Sequence, residues 1–332
     1  MDFDVPLMGQ KNRILVEDET RIELALKTIK YLLRQKAKVI IIAHLGRPGG
    51  KRIARLSLKP VVRSLRSLLG EETKIDFSPY ALGKEVKKKT RLLVSGEILV
   101  LENLRFYPEE KKNQRNFARE LASLGDFYVN DAFAVSHREH ASIVGIPRFL
   151  PSALGKNFIE EVKVLTRVYE KPKRPVVLII GGMKESKLQA GQILLAWVDS
   201  LLVGGGLRVV DGIVELVGNK KVMADLTKKG EDITVESARE FARIVKKAGT
   251  IIWSGPMGAY ENPRFLKGTE IVAKAVVSSK AYSVVGGGDT EAALTKLNMV
   301  DKINHICSGG GAMLVFLAQR GTLPAIEVII RK

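Results

Sequence analysis

Eight short apolar runs limit what this chain can fold into. Each is rich in β-branched residues, stops at glycine or at a polar cluster, and is followed by a stretch with helical spacing. In the first half they are VIIIAHLGRP from Val39, EILVLENLRF from Glu97 and DFYVNDAF from Asp126. In the second half they are PVVLIIGG from Pro175, DSLLVGGG from Asp199, GTIIWSGP from Gly249, AYSVVGGGD from Ala281 and NHICSGGG from Asn304. A strand that is apolar on both sides of its pleat must be covered on both faces, and alternation with helices is how parallel sheets achieve this. The pattern therefore predicts an α/β chain.

At 332 residues, 45% of them apolar, the chain exceeds what one core usually serves. Two doubly wound parallel-sheet (Rossmann-like) domains joined by a helical hinge are expected. Residues 152–170 carry apolar side chains at helical spacing, and the basic, proline-containing segment 171–175 follows. This places an N-terminal domain at 1–155 and a C-terminal domain at 156–332, with 152–175 as interdomain helix and linker. No apolar run approaches the roughly 18 residues of a membrane span, and the opening Met-Asp-Phe-Asp lacks the basic and apolar stretches of a signal peptide. A cytoplasmic protein without a membrane partner is expected. The single cysteine, Cys307, forms no internal disulfide, sits in an apolar run, and reads as a small buried strand residue.

The formal charge of +18 admits nucleic acid, a membrane surface or small anions as partners. Much of it lies in runs such as KEVKKKTR from Lys84 and KPKR from Lys171, which read as solvated faces. The informative cations are isolated ones in apolar context. Open parallel sheets bind ligands beyond the carboxyl ends of their strands, and there the first half supplies His44 and Arg47, Arg105, then His137, Arg138 and His140, while Arg21 opens an early helix. A guanidinium offers two parallel donors to a carboxylate or phosphate. One such arginine is unremarkable; a cationic residue at all three strand ends points to an anionic ligand.

The second half ends its strands in glycine instead. Glycine lets backbone approach a ligand, and the helix that follows presents free N–H groups and the positive end of its dipole. GGGDT (286–290) and SGGGA (308–312) have this form, and Asp289 adds a hard oxygen suited to phosphate-bound Mg²⁺. Four glycine clusters in one half favour a nucleotide, although neither GxxxxGK[ST] nor a helix-opening GxGxxG is present. GGMKESK puts Lys184 and Lys187 just after a strand end, where cations are disfavoured unless an anion binds.

Taken in order, DFDVPL, DETRI, HLGRP, LENLRFYPEE, YVNDAFAVSHREHAS, GGMK, LLVGGGL, IWSGPMGAYE, GGGDTEAAL and SGGGAML resemble phosphoglycerate kinase from Asp2 to about Val328. The resemblance implies reversible transfer of the acyl phosphate of 1,3-bisphosphoglycerate to Mg·ADP, giving 3-phosphoglycerate and ATP, in a glycolytic enzyme that works as a monomer. It implies a phosphoglycerate site of Asp2, Asp4, Arg21, His44, Arg47, Arg105 and Arg138. It further implies an adenine pocket of Gly182, Met183, Gly205 and Gly206, with Pro256 beside the nucleotide and Glu261 on the ribose. Lys184, Lys187, Thr290 and the glycines Gly286, Gly287 and Gly288 would serve the phosphates, and Asp289 would hold Mg²⁺. Arg21, Lys184, Gly287 and Gly310 are the implied catalytic set. An acyl phosphate donor and a carboxylate acceptor need no proton removed, so hydrogen-bonding or structural roles are expected for His44, His137 and His140.

Several positions depart from the family pattern. Asp4 stands where asparagine is usual, which puts an acceptor-only carboxylate in an anion site unless an arginine pairs with it. The arginine that usually precedes Asp2 is missing, as an upstream start codon would explain. The lysine loop is one residue short between Lys184 and Lys187, Met183 replaces a smaller residue, Ser254 replaces asparagine, and the stretch between Gly206 and Ile251 is short by a strand and a helix. A same-fold nucleotide- or anion-binding protein with weak or no transfer activity therefore stays open. A nonspecific nucleic-acid binder rests on charge alone, and no nucleic-acid partner is expected.

Overall fold

A computed structural model describes residues 1–10, 13–183, 185–209 and 221–330. The chain divides into two compact units, the first of Met1–Glu160 with Pro324–Lys332, the second of Glu161–Leu323. The first division falls inside a helix. The expected boundary at 155/156 lies a few residues earlier, and the last helix, expected in the C-terminal domain, joins the first unit.

In the first unit, β1 (Leu7–Gln10) and β2 (Arg13–Val16) pair antiparallel. Three parallel strands, β3 (Val39–Ile41), β4 (Ile75–Ser78) and β5 (Ile98–Leu101), lie in the order β3-β5-β4. A further parallel pair joins β6 (Tyr128–Asn130) to β7 (Ser152–Leu154). Around them lie α1 (Thr20–Arg34), α2 (Lys59–Leu69), α3 (Lys84–Leu92), α4 (Pro108–Lys111) and α5 (Arg115–Ala122). The central strand β5 is buried at every position, as its sequence requires, whereas the edge strand β4 exposes Asp76 and half-buries Phe77. Phe3, Ile22, Ile29, Leu58 and Leu65 pack with β3 and β5 in one core.

Residues 152–154, expected to open the interdomain helix, form β7 instead. Pro151 and Gly155 bracket them, and α6 (Lys156–Glu170) starts only after Gly155. The Asp131 carboxylate accepts the Phe158 amide at 2.9 Å in the first turn of α6, and a Cβ on Gly155 would lie 2.2 Å from that carboxylate. A helix beginning four residues earlier, at 152, would lose this cap.

Among the described residues the second unit has six parallel strands. They are β8 (Val176–Ile180), β9 (Ser200–Val203), β10 (Lys221–Met223), β11 (Thr250–Ser254), β12 (Tyr282–Gly286) and β13 (His305–Cys307), in the order β10-β9-β8-β11-β12-β13. The chain winds outward from β8 in one direction and then from β11 in the other. That order is doubly wound, with its switch point between β8 and β11. The helices are α7 (Glu185–Leu194), α8 (Val235–Val245), α9 (Lys267–Ser278), α10 (Gly288–Lys296) and α11 (Gly310–Ala318), and α12 (Pro324–Ile330) ends the chain in the first unit. All five positions of β8 and of β11 are buried, Trp253 fully. Burying an isoleucine or leucine at such positions stabilises by about 1.5–3 kcal/mol each. Between Gly206 and Ile251 the described residues hold one strand, β10, and one helix, α8, while residues 210–220 lie outside the described set.

Candidate functional sites in each unit

The cationic site of the first unit is built on the loops after β3, β5 and β6. Glu102, following β5, accepts hydrogen bonds from Ser57 Oγ at 2.7 Å, Leu58 N at 2.9 Å and Asn103 N at 2.8 Å. The Asn103 side-chain amide donates to the carbonyls of Leu45 and Leu56, at 2.7 and 2.9 Å. These bonds fix the loop after β3 against the loop after β5. Gly46, in the left-handed region at φ +63°, then donates its amide to Asp4 Oδ1 at 2.7 Å, and its carbonyl accepts from Arg105 Nη1 at 2.9 Å.

Asp2, Asp4, Arg21, His44 and Arg105 are thus brought together. Arg21 pairs with Asp2, whose carboxylate also accepts the Asp4 amide. His44 Nε2 lies 3.7 Å from Asp4 Oδ2, an ion-pair distance too long for a hydrogen bond, and it has no hydrogen-bond partner. Burial pushes the Asp4 carboxyl up, but His44, the Gly46 amide and the Arg21 charge outweigh it and hold the group well below the usual carboxylate range. The expectation that Asp4 would need an arginine ion pair is met differently, by an imidazole and a backbone N–H.

Arg105 is 7% exposed, and its buried Nε has no hydrogen-bond partner. Burial lowers its pKa, Asp4 and Asp2 raise it, and Arg138 lowers it, so the two guanidiniums lie within electrostatic reach. Arg138 donates from Nε to His137 at 3.4 Å. Arg47 is exposed and makes no hydrogen bond or ion pair among the described residues, so the structure does not tie it to the others. His140 is buried and its pKa falls to about 3, chiefly by burial and then by Arg105 and Arg138, so it is neutral near pH 7. Its Nδ1 lies 3.9 Å from Glu110 Oε1, beyond hydrogen-bond distance.

In the second unit the glycine loops meet at the switch point. Gly181 N donates to Ser254 O at 2.9 Å and Gly182 N to Pro256 O at 3.0 Å, which joins the ends of β8 and β11. A Cβ on Gly255, at φ +99°, would lie 2.0 Å from Gly181 O, so no side chain fits there. Gly205 presses on Gly182, and Gly206 lies against Met183, which is 83% exposed. Pro256 is buried beneath these loops and Glu261 is exposed. Lys187 is 9% exposed, with Nζ 3.3 Å from Gly181 O, under the glycine junction. Lys184 lies outside the described residues.

At the next two strand ends α10 begins at Gly288, preceded by Gly287 at φ +104°, and α11 begins at Gly310. Neither N-cap contributes a side-chain bond, so both helices keep amide donors and a positive dipole end for an anion. Gly310 has no room for a side chain, since a Cβ would lie 2.4 Å from Gly286 O and 2.5 Å from Ser254 Oγ. Thr290 is buried, and its hydroxyl accepts the Gly255 amide at 2.7 Å, which ties α10 to the loop after β11. Asp289 is exposed in the first turn of α10, without an ion pair among the described residues. These residues contain no cluster of three or more potential metal ligands. One carboxylate beside a phosphate site still fits Mg²⁺, which takes one or two protein oxygens and completes its shell with phosphate and water.

Three acidic residues that position these loops are not among the expected site residues. Glu102 and Glu110 fall within the motif LENLRFYPEE, Glu102 directly after the apolar run of β5. Glu161, in α6, is 3% exposed, accepts the Ser308 amide at 2.8 Å and pairs with His305 at 3.1 Å. Burial raises its pKa, but these bonds and Cys307 more than offset it and lower the carboxyl overall. It holds the loop that opens α11.

Comparison with known proteins agrees along the whole chain. The model of the family described as phosphoglycerate kinase matches residues 1–211 and 210–320. Phosphoglycerate kinase of Moorella thermoacetica is 40% identical over 382 aligned residues, covering 100% of this chain and 95% of its own length. That of Borreliella burgdorferi strain ZS7 is 38% identical over 377, covering 99% and 94%. The structure of phosphoglycerate kinase from Coxiella burnetii superposes with a TM-score of 0.73 at 30% identity, and that from Pyrococcus horikoshii OT3 with 0.83 at 28%. Each covers 99% of this chain and 94% of the other. The first alignment exceeds the 332 residues present, so gaps in this chain account for the difference.

Proposed function

This chain belongs to the phosphoglycerate kinase family, and on that premise we propose how its two units divide the reaction. It is a phosphotransferase of glycolysis, exchanging the acyl phosphate of 1,3-bisphosphoglycerate with ADP to give 3-phosphoglycerate and ATP. The first unit binds the phosphoglycerate and the second the nucleotide.

The observation that carries the first assignment is Arg105. A buried guanidinium with an unpartnered N–H, crowded by Arg138, is costly unless an anion joins it. Arg138, Arg21 and His44 add donors, and Arg47, exposed on the loop after Gly46, would join them on binding, while Asp2 and Asp4 orient Arg21, His44 and the Gly46 loop. In the second unit Gly182, Met183, Gly205, Gly206 and Pro256 form the wall for the base, and Glu261 takes the ribose. Gly286, Gly287 and Gly288 with the first turn of α10, and Gly310 with that of α11, offer backbone N–H groups to the phosphates. Thr290 holds the phosphate loop through Gly255, and Lys187 brings a buried charge beneath the same junction. Asp289 would hold Mg²⁺, which when bound with the nucleotide neutralises phosphate charge.

Phosphoryl transfer needs positioning and charge on the equatorial oxygens more than covalent help. Arg21 and Lys184 are the side chains proposed for that charge. Removing such a preorganised donor costs about 10² to 10³ in turnover. A coupled assay with the full chain, 3-phosphoglycerate, ATP and Mg²⁺ tests this. Turnover should be robust in the wild type and fall on that scale in Arg21→Ala and Lys184→Ala; wild-type turnover in both would refute the assignment. The setting we propose is cytoplasmic and monomeric, supported by the family and by the absence of a membrane-spanning helix among the described residues.

A further inference from the structure

Glu110 is a buried carboxylic acid that the reaction does not use. It lies in α4, five residues after Arg105, and is 3% exposed. Its two oxygens take different donors from one residue: Ser142 Oγ donates to Oε1 at 2.5 Å and Ser142 N to Oε2 at 3.0 Å. Ser142 follows Arg138 by four residues, and His140 Nδ1, between them in sequence, is 3.9 Å from Glu110 Oε1. On the far side, the Ser142 carbonyl accepts from Tyr128 Oη at 2.6 Å, anchoring the same residue to β6. The segment that follows Arg105 is therefore stapled to the segment that follows Arg138.

We propose that Glu110 is a positioning residue for phosphoglycerate, setting Arg138 against Arg105 through the Ser142 staple. The inference rests on the reading that the first unit binds phosphoglycerate. The two guanidiniums repel each other, and His140, held neutral, adds no third positive charge between them. Something rigid must hold both arginine segments before the anion arrives, or binding would have to order them. A doubly hydrogen-bonded carboxyl does so better than a surface ion pair, because losing either partner leaves the other buried and unsatisfied. Burial pushes Glu110 up, against the pull of the Ser142 bonds and of Arg105, and accepting from Ser142 is open to the carboxylate and the protonated acid alike.

Calorimetric titration of the full chain with 3-phosphoglycerate and separately with MgADP tests this. Glu110→Ala should weaken 3-phosphoglycerate by about tenfold or more, as small misplacements at anion clamps do, and leave MgADP within about twofold. Glu110→Gln, which keeps an acceptor for the Ser142 amide, should stay within about threefold of wild type, and Ser142→Ala combined with Glu110→Ala should be clearly non-additive. Unchanged 3-phosphoglycerate affinity in Glu110→Ala, or equal loss for both ligands, would overturn the proposal. If Glu110→Ala does not fold, Ser142→Ala decides alone, and selective loss of 3-phosphoglycerate is required of it. Arg138→Ala separates this inference from its premise. Intact 3-phosphoglycerate binding in Arg138→Ala removes the reading of the first unit, whereas loss in Arg138→Ala with none in Glu110→Ala or Ser142→Ala removes only the role of Glu110.

Discussion

At the scale of single residues, the site depends on groups with no freedom to change. Gly310 is the sharpest case. A methyl group there meets Gly286 O and Ser254 Oγ well inside contact distance, so the start of α11 must shift away from β12. Gly310→Ala should lower kcat by about 10²-fold while the protein still melts cooperatively, as steady-state kinetics and calorimetry would show. His140 gives a prediction in pH. Its folded pKa of about 3 lies below the unfolded value of 6.5, so the unfolded chain binds more protons between these values. Stability from this group is complete above about pH 6.5 and is lost as pH falls toward 3, with a slope of at most about 1.4 kcal/mol per pH unit. Asp4 has the same sign, its share being lost only below the ordinary carboxylate range. His140→Asn should flatten the dependence of melting temperature on pH between about pH 4 and 6 relative to wild type; parallel curves would contradict the burial of a neutral imidazole. The placement of His44, Arg105, Gly287 and Asp289 just beyond strand ends was legible in the sequence, where a parallel sheet leaves room for ligands. The roles of Glu102, Glu110 and Glu161 were not, since the local sequence around a carboxylate does not show which distant amides and hydroxyls packing brings to it.

At the scale of elements, the strands most easily foreseen were those buried on both faces. β5, β8 and β11 are continuous apolar runs and sit centrally in their sheets. β4, with Asp76 exposed, and the short β7 gave no such run, because an edge strand needs only half its residues apolar. Residues 152–154 also fit the helical spacing of α6, and only the Gly155 break and the Asp131 cap separate the two. The loop after β3 illustrates how one acid can organise several elements. Glu102 joins β5, the loop carrying Gly46 and Arg47, and the amide of Leu58 that precedes α2. Glu102→Ala leaves these donors buried and unpaired, and should destabilise the first unit by about 2–4 kcal/mol in denaturant melts while raising the KM for phosphoglycerate.

For the molecule as a whole, the charge acquires a location. Between Glu23 and Glu71 the sequence contains twelve lysines and arginines and no acidic residue. Of these cations only Lys27 forms an ion pair among the described residues. Arg47, Lys51, Arg52 and Arg55 lie on the loop that leaves the anion site, exposed to solvent. Unlike the runs from Lys84 and Lys171, these cations lie on the loop beside the proposed anion site. Raising ionic strength from about 0.01 to 0.1 M shortens the screening length from about 30 to 10 Å and should lower kcat/KM for 3-phosphoglycerate severalfold. Replacing Lys51, Arg52 and Arg55 together by glutamine should flatten that dependence. The division of labour between the units is tested most directly by steady-state kinetics on Arg105→Ala and Asp289→Ala, with both substrates varied. Arg105→Ala should raise the KM for 3-phosphoglycerate at least about tenfold and leave that for MgATP nearly unchanged, and Asp289→Ala should do the reverse. Equal effects on both substrates in both variants, or the opposite pairing, would contradict it.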